Sequence, residues 1–241
     1  PLRESVVEHH ADIGFALDMD GDRLGVIDKN GKYWNGDLLS YLFAEHLCQT
    51  HQGAHIYLDV KSSQAILDQV HELGGKATIV PTGHALIKSL LKTNSSVLFA
   101  GEYSGHHYFP KEYCLVDDAV YSALRVLLID KDFPLDQRYN SLRKYESIPQ
   151  KSLTFASHKE KETAMAQISE LVKGHPTLDI NLVDGLRARF EAGWWLIRAS
   201  NTEPILTLRC EGKTLKALKE IQENLDQLLA QLKIEPTTTS H

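Results

Sequence analysis

The stretch from Ala54 to Glu102 decides the fold class, because strand-like apolar runs alternate in it with amphipathic helical runs. It reads "AHIYLDV" (54–60), "SQAILDQVHEL" (63–73), "KATIVPT" (76–82), "ALIKSLLK" (85–92) and "SSVLFAGE" (95–102). Short connections between such runs are typical of parallel strands joined by crossover helices. We therefore predict an α/β domain with a mainly parallel sheet covered by helices.

The residues before this stretch predict a hairpin followed by a helix. "ADIGFALDMD" (11–20) and "RLGVIDKNGKYW" (23–34) have the character of strands, and Asn30-Gly31 is a strong turn dipeptide. Asp37 stands where it could cap the helical run "LLSYLFAEHLCQTH".

The residues after this stretch show a different order. "DKDFPLDQRYNSLRKY" (130–145) interrupts the alternation, and we interpret it as a linker region. A strand, a charged helix, a cluster of strands and a last amphipathic helix follow, before the polar tail "PTTTSH". This order predicts an α+β domain with an antiparallel sheet and two helices.

Composition excludes several classes of protein. The 241 residues carry a formal net charge of −6, which argues against a general nucleic-acid binder. No apolar run is long enough for a membrane span. Cys48, Cys114 and Cys210 are few, odd in number and far apart, which is typical of reduced thiols in the cytoplasm.

Three aspartates, Asp18, Asp20 and Asp22, lie between two apolar runs in "ALDMDGDRLGVID". A turn at Gly21 can fold their carboxylates around one ion, and hard oxygen ligands suit Mg²⁺. A solvated acidic turn is the plain alternative. "LDMDG" also resembles the loop of haloacid-dehalogenase phosphatases, in which the first aspartate is a nucleophile.

Unusual polar residues follow the ends of three predicted strands, where ligands bind in parallel sheets. Lys61 follows "YLDV" and His84 lies in "PTGHALIKSLL". Glu102, Ser104 and His106 alternate in "GEYSGHHYF" and offer the donors and acceptors that sugar hydroxyls need.

The stretch "RASNTEP" (198–204), between two strands of the second part, predicts a phosphate site. Arg198 supplies a charge-assisted fork, and Ser200, Asn201 and Thr202 offer side-chain donors on a turn of backbone N–H groups. A hairpin loop rich in turn formers is the plain alternative.

Together these stretches resemble the α-D-phosphohexomutase family, in its phosphomannomutase/phosphoglucomutase type. "DMDGDR" is similar to the family's metal loop D-G-D-G-D-R except at Met19, and "GEYSGH" to its sugar loop G-E-M-S-G-H except at Tyr103. "RASNTEP" fits its phosphate loop R-[PA]-S-[GN]-T-[ET]-P, "TGHALIK" its T-G-H-S-L-I-K segment, and "DVK" its lysine-bearing strand end.

The resemblance implies a division into domains. Residues 1–36 would be the end of a second domain with its metal loop, and residues 37–135 a third domain with a mixed, mainly parallel sheet and helices on both faces. Residues 136–235 would be an α+β fourth domain, and 236–241 a polar tail. The family's T-S-H-N-P loop, which bears the catalytic phosphoserine, does not occur in this sequence. The chain therefore resembles the C-terminal part of the enzyme, and the N-terminal domains of the same polypeptide are its expected partner.

The resemblance also implies a reaction, the exchange of a phosphoryl group between the 1- and 6-positions of mannose or glucose through a hexose 1,6-bisphosphate. Mg²⁺ would be held by Asp18, Asp20 and Asp22, with Arg23 beside the phosphoserine. Lys61 and His84 would be the general acid and base. The implied sugar-hydroxyl ligands are Glu102, Ser104 and His106, and the implied distal-phosphate ligands are Arg198, Ser200, Asn201 and Thr202.

Two enzyme alternatives stay open at this point. Phosphoglucosamine mutases carry a different sugar loop, and Tyr103 fits neither consensus, so the preferred sugar is a hypothesis. A phosphatase of the haloacid-dehalogenase type explains the aspartates and leaves the other motifs unexplained. The isolated chain, which lacks the phosphoserine, is predicted to bind phosphosugars without isomerising them.

Overall fold

A computed structural model describes residues 1–173 and 179–231, and the chain divides in it between Arg143 and Lys144 into two units. The first unit begins with helix α1 (Leu2–Glu8) and the strands β1 (Ile13–Leu17), β2 (Leu24–Asp28) and β3 (Tyr33–Trp34). These strands form an antiparallel sheet in the order β1-β2-β3. Gly31 lies in the β2–β3 turn with φ of 74°, a conformation that glycine adopts without strain, and this confirms the predicted turn.

The alternating stretch forms the second sheet of this unit. Its elements are α2 (Gly36–Thr50), β4 (His55–Asp59), α3 (Gln64–Glu72), β5 (Lys76–Val80), α4 (His84–Thr93), β6 (Val97–Gly101), β7 (His107–Tyr108), α5 (Ala119–Asp132) and α6 (Leu135–Ser141). The strand order is β5-β4-β6-β7, in which β4 pairs in parallel with β5 and β6, and β7 pairs antiparallel with β6. The prediction of a mixed, mainly parallel sheet is confirmed.

The side chains of β4 alternate between two cores, as the period of a strand requires. Ile56 and Leu58 pack in one cluster with residues of α2 and α3. Tyr57 packs in another cluster with Ile87 of α4. Helices therefore cover both faces of the sheet, as the resemblance implied.

Two local expectations in this unit were wrong. Asn35, rather than Asp37, caps α2, since its side chain accepts the N–H of Leu38, whereas the Asp37 carboxylate lies 3.3 Å from the N–H of Ser63. The supposed linker contains α6, which is held by buried Leu135 and by an ion pair of 2.8 Å between Arg138 and Glu45. The first unit consequently continues through Arg143, beyond the predicted domain boundary between 135 and 136.

The second unit is an antiparallel sheet with two helices. Its elements are β8 (Glu146–Ser147), β9 (Lys151–Thr154), α7 (His158–Lys173), β10 (Asp179–Asn181), β11 (Leu186–Phe190), β12 (Gly193–Ala199), β13 (Ile205–Gly212) and α8 (Leu215–Gln231). The strand order is β10-β11-β12-β13-β8, and β9 also pairs with β13. Ile168 of α7 and Leu225 of α8 share a core with Trp195 of β12. The predicted α+β arrangement is confirmed, and the predicted tail at 236–241 lies outside the described residues.

Across residues 1–173 and 179–231, every helix is too short or too polar to cross a bilayer.

Candidate functional site

The three predicted metal ligands meet in the connection between β1 and β2. One carboxylate oxygen each of Asp18, Asp20 and Asp22 lies within 4.8 Å of the others. Gly21 makes the turn with φ of 72°, and its N–H lies 3.3 Å from the Asp18 carbonyl. Met19, where the family has glycine, is fully exposed and points to solvent.

The donor set fits a hard divalent cation. Asp22 Oδ1 is buried and accepts no hydrogen bond from any described residue, which leaves this oxygen available to a cation. Three convergent carboxylates are the ligands that Mg²⁺ prefers, and the small number of protein ligands leaves positions for water or phosphate.

Arg23 balances part of this negative charge. Its Nε forms an ion pair with Asp18 and lies 3.8 Å from Asp22 Oδ1. Asp18 Oδ1 also accepts the backbone N–H groups of Asp22 and Arg23, at 3.2 and 3.1 Å. Partial desolvation opposes ionisation of Asp18, but the hydrogen bonds and charge of Arg23 outweigh it and hold the pKa of Asp18 below its ordinary value. This ligand is therefore already ionised in the absence of a cation.

The predicted sugar loop follows β6 and lies against the metal loop. Ser104 Oγ lies 2.8 Å from His106 Nδ1, and His106 Nε2 lies 3.4 Å from Asp22 Oδ2. An isolated bridge pairs Arg23 with His106. Glu102 is buried and its Oε2 accepts the N–H of Gly83 at 3.1 Å.

Glycines allow the close approach of α2 to the sugar loop. A Cβ on Gly36 would lie 2.6 Å from both the N of Gly105 and the O of Tyr103, which are backbone atoms. Gly105 itself has φ of 99°. A side chain at position 36 would displace the loop that carries Ser104 and His106.

His84, the first residue of α4, faces the same cavity as the two loops. Its side chain is 60% exposed, and its ring centroid lies 6.4 Å from that of His106. The cavity measures about 360 Å³ and is lined by Asp20, Asp22, Arg23, Thr82, Gly83, His84, Glu102, Ser104 and His106. The structure thus brings most of the candidates of the first unit together.

Lys61 is not among the residues that line this cavity. Its Nζ lies 3.9 Å from the buried carboxylate of Asp59 and 5.9 Å from the ring centroid of Tyr103. Asp59 accepts hydrogen bonds from Ser62 Oγ at 2.8 Å, Thr82 Oγ1 at 3.0 Å and the Tyr103 N–H at 3.1 Å. It therefore ties the ends of β4, β5 and β6 together behind the cavity.

Sequence reasoning missed Asp59, although an acidic residue that ends the buried run "HIYL" was a usable signal, since a buried carboxylate needs partners. It also missed Lys88 and Asp117. Lys88 Nζ lies 2.5 Å from Asp117 Oδ1, and His84 Nδ1 lies 3.9 Å from Asp117 Oδ2. His84 and Lys88 are four residues apart on one helix, a spacing that places both on one face.

The predicted phosphate loop lies in the second unit, between β12 and β13. Arg198 Nε lies 2.7 Å from Asp184 Oδ2. Ser200 Oγ accepts the N–H groups of Thr202 and Glu203, at 3.3 and 3.2 Å, while Asn201 and Thr202 are exposed. Ser200 thus orders the turn from within.

Lys161 of α7 holds the carbonyl groups of this loop. Sequence reasoning missed this residue as well. Its side chain is buried, and Nζ donates to the carbonyls of Ser200 at 2.6 Å and Glu203 at 3.3 Å. An ammonium group is thereby held directly behind the loop that carries Asn201 and Thr202.

Family models match both units of the chain. A family model described as "Phosphoglucomutase/phosphomannomutase, alpha/beta/alpha domain III" matches residues 35–145, and one described as "Phosphoglucomutase/phosphomannomutase, C-terminal domain" matches residues 156–228. Together they account for most of the chain.

Curated relatives carry related names. The chain is 35% identical over 221 residues to a phosphoglucomutase of Neisseria meningitidis, a match that covers 91% of this chain and 48% of the relative. It is 38% identical over 225 residues to a phosphomannomutase/phosphoglucomutase of Pseudomonas syringae, covering 92% and 47%. The chain therefore spans about half the length of the curated relatives it matches.

A solved structure of a phosphoglucomutase/phosphomannomutase family protein from Burkholderia thailandensis is also similar. It matches with a TM-score of 0.85 and 31% identity, over 97% of this chain and 50% of that protein.

Proposed function

Because the chain belongs to the phosphoglucomutase/phosphomannomutase family, we propose that it is the part of a hexose-phosphate mutase that binds the metal ion, the sugar and the distal phosphate. The single observation that carries the proposal is the cavity in which the carboxylate loop, His84 and the sugar loop meet. The proposed reaction exchanges the 1- and 6-phosphates of glucose and mannose through a hexose 1,6-bisphosphate.

Asp18, Asp20 and Asp22 would hold Mg²⁺, and the bound ion would supply positive charge to phosphoryl oxygens during transfer. Arg23 is held against Asp18, and its role is to position a phosphoserine beside this loop. The phosphoserine itself would come from N-terminal domains outside this chain, and the cytoplasm is the proposed location.

His84 and Lys61 are the proposed acid and base for the reacting hydroxyl. His84 is exposed to the cavity at the start of α4. Lys61 Nζ lies 3.9 Å from Asp59, and Lys61 is not among the residues that line the cavity. Of the two, His84 is the one that lines the cavity.

Glu102, Ser104 and His106 are the proposed ligands of the sugar hydroxyls, and Arg198, Ser200, Asn201 and Thr202 those of the distal phosphate. The support for the second set is the presence of two cationic groups at the loop, the guanidinium of Arg198, which is paired with Asp184, and the ammonium of Lys161, which donates to the Ser200 carbonyl. A single anchor for the non-reacting phosphate lets the sugar bind in either orientation.

The first test is a coupled mutase assay on the uninterrupted gene product beside this chain, with Mg²⁺ and a trace of bisphosphate. Glucose 1-phosphate and mannose 1-phosphate are the expected substrates of the long form, glucosamine 1-phosphate is not, and the chain alone turns over none. Isomerisation by the chain alone would contradict the assignment of the nucleophile to the absent domains.

Calorimetric titration of the chain with Mg²⁺ tests the metal loop directly. Asp20→Asn is expected to weaken Mg²⁺ binding at least tenfold, because it removes one of three anionic ligands. Asp132→Asn, an exposed aspartate at the end of α5, is the matched control and is expected to change nothing. A stable beryllofluoride adduct on Asp18 would favour the phosphatase alternative instead.

A further inference from the structure

The hydroxyl of Tyr108 lies between two carboxylates at the edge of the site. Its Oη is 3.0 Å from Glu102 Oε1 and 3.0 Å from Asp117 Oδ2. Tyr108 and Glu102 are buried, and the Asp117 side chain is 5% exposed. The proposed function uses Glu102 and gives no role to Tyr108 or Asp117.

One phenol proton can serve both carboxylates only as a three-centre bond, and a second proton would give each contact a full hydrogen bond. A phenol carries one proton and can donate it fully to one carboxylate, so the other contact of 3.0 Å brings two unprotonated oxygens together unless that carboxyl is protonated. The phenol keeps its own proton, because burial and the charges of Glu102 and Asp117 raise the pKa of Tyr108 above its ordinary value.

Asp117 is the less readily protonated of the two carboxyl groups. Burial opposes its ionisation, but Lys88 Nζ, 2.5 Å away, outweighs burial and holds the pKa of Asp117 below its ordinary value. Hydrogen bonding to the ammonium group of Lys88 favours the ionised form of Asp117.

Glu102 is the more readily protonated of the two carboxyl groups. Burial, with a smaller contribution from the negative charge of Asp59, raises the pKa of Glu102 above its ordinary value, against the opposing effects of His106 and of hydrogen bonds from Tyr108 and Gly83. Its Oε2 accepts the Gly83 N–H, which either protonation state allows, and Oε1 faces Tyr108 and lies 3.7 Å from His106 Nδ1.

We propose that Glu102, Tyr108 and Asp117 form a proton-sharing relay, in which the Glu102 carboxyl donates to Tyr108 and Tyr108 donates to Asp117. Tyr108 is a positioning residue in this relay, since it fixes the carboxyl of Glu102 toward the cavity. The charged and titratable groups that face the relay are Asp22 in the metal loop, within 4.8 Å of Asp117, His106 in the sugar loop, His84 and Lys88 on α4, and Asp59 with Lys61 at the end of β4.

The relay has a consequence for ligand binding, which rests on the proposed function. A sugar hydroxyl donates a stronger hydrogen bond to the ionised Glu102 carboxylate than to the neutral acid. On binding, the Glu102 proton leaves to solvent, and Tyr108 turns its O–H from Asp117 to Glu102. Phosphosugar affinity is therefore expected to fall up to tenfold for each pH unit below the midpoint of the Glu102 titration.

The relay itself is tested without ligand, by carbon-13 NMR titration of the glutamate carboxyls in the whole chain, with Glu102→Gln to assign the signal. We expect Glu102 to titrate above the ordinary glutamate value of about 4.3. In Tyr108→Phe the midpoint is expected to fall, because the acceptor of the Glu102 proton is gone. Tyr57→Phe, which removes the hydroxyl that Asn94 contacts at 2.7 Å in the same core, is the matched control and leaves the midpoint unchanged.

Two results overturn the relay. An ordinary midpoint in the wild type means that the Tyr108 proton is shared between two ionised carboxylates in a three-centre bond. A midpoint that rises in Tyr108→Phe means that Tyr108 donates to an ionised Glu102. If Tyr108→Phe does not fold, the titration midpoint of Glu102 in the wild type is by itself the test of the relay.

Binding of mannose 6-phosphate, followed by calorimetry at two pH values, separates this proposal from the proposed function. A raised Glu102 midpoint with no phosphosugar binding supports the relay and contradicts the function. Binding with an ordinary midpoint contradicts the relay and supports the function.

Discussion

The two candidate sites are built in opposite ways. In the first unit the loops are held by partners far apart in sequence, such as the bridge between Arg23 and His106 and the bond between Glu102 and the N–H of Gly83. In the second unit the loop closes between adjacent strands through bonds that Ser200 makes within three residues. The first site depends on the whole unit, whereas the second depends on one hairpin and one buried lysine.

The charges of the two sites differ in the same way as their construction. The first site gathers aspartates around one cationic side chain, Arg23, and is suited to a divalent cation. The second holds Arg198, which is paired with Asp184, and Lys161, which donates to a loop carbonyl, and we propose that it binds an anion. We therefore expect substitutions of the supporting residues of the first site to change the stability of its whole unit. Substitutions of the supporting residues of the second site are expected to change only the stability of its loop.

The largest effect is expected at Asp59, whose buried carboxylate accepts three hydrogen bonds from three parts of the first unit. Asp59→Ala leaves those donors and Lys61 without this acceptor and should lower the free energy of unfolding of that unit by about 4 kcal/mol. Urea denaturation, with hydrogen exchange of peptides from each unit, measures it. Asp59→Asn keeps an acceptor oxygen and should lower the free energy of unfolding by about half as much. If Asp59→Ala lowers it by less than about 1 kcal/mol, the loops do not depend on the Asp59 carboxylate.

Acid should destabilise the first unit through His107. Burial lowers the pKa of His107 to about 4, and the ring packs against Phe43 and Phe99. Since the unfolded value is about 6.5, the neutral ring contributes its full share above pH 6.5, and about 3 kcal/mol is lost as the pH falls from 6.5 to 4. Urea midpoints at several pH values measure this.

His107→Phe is the control for the acid effect, because phenylalanine suits an aromatic surrounding and does not titrate. Its stability should depend less steeply on pH than that of the wild type over the same interval. Equal slopes for the two proteins would assign the acid sensitivity to other groups.

Lys161→Met should loosen the second site without affecting the first. The carbonyls of Ser200 and Glu203 lose their ammonium donor, at a cost of about 2 kcal/mol that is confined to the loop and its neighbours. Amide exchange in peptides covering 198–206 should accelerate, and that of the metal loop should not. Lys173→Met, at an exposed position on the same helix, is the control; faster exchange in both units would contradict the local construction.

Met19→Gly should have the smallest effect. The Met19 side chain is fully exposed and contributes no ligand, so restoring the glycine of the family's metal loop is expected to change the Mg²⁺ dissociation constant less than twofold. Calorimetric titration measures it. A tenfold change would mean that backbone freedom at position 19 governs the metal loop.

The sequence predicted most reliably what depends on neighbours along the chain. The turn at Gly31, the alternation of strands with helices and the parallel arrangement of β4, β5 and β6 are local or periodic signals. The sequence failed where a distant partner decided the outcome. Asp37 could have capped α2, but Asn35 does so, and a polar stretch with a proline was interpreted as a linker although Arg138 pairs with Glu45 across 93 positions.

The same division holds for the sites. Most motif residues of the first unit line the cavity, though Lys61 does not, because acidic, hydroxyl and imidazole groups at strand ends follow from local chain order. Only the tertiary structure decided how they are held there: Asp59, Lys88, Tyr108 and Lys161 act through contacts with residues that the linear sequence does not place beside them. The physical reason is that a buried polar group must find a partner, and the fold, rather than the neighbouring sequence, determines which partner is within reach.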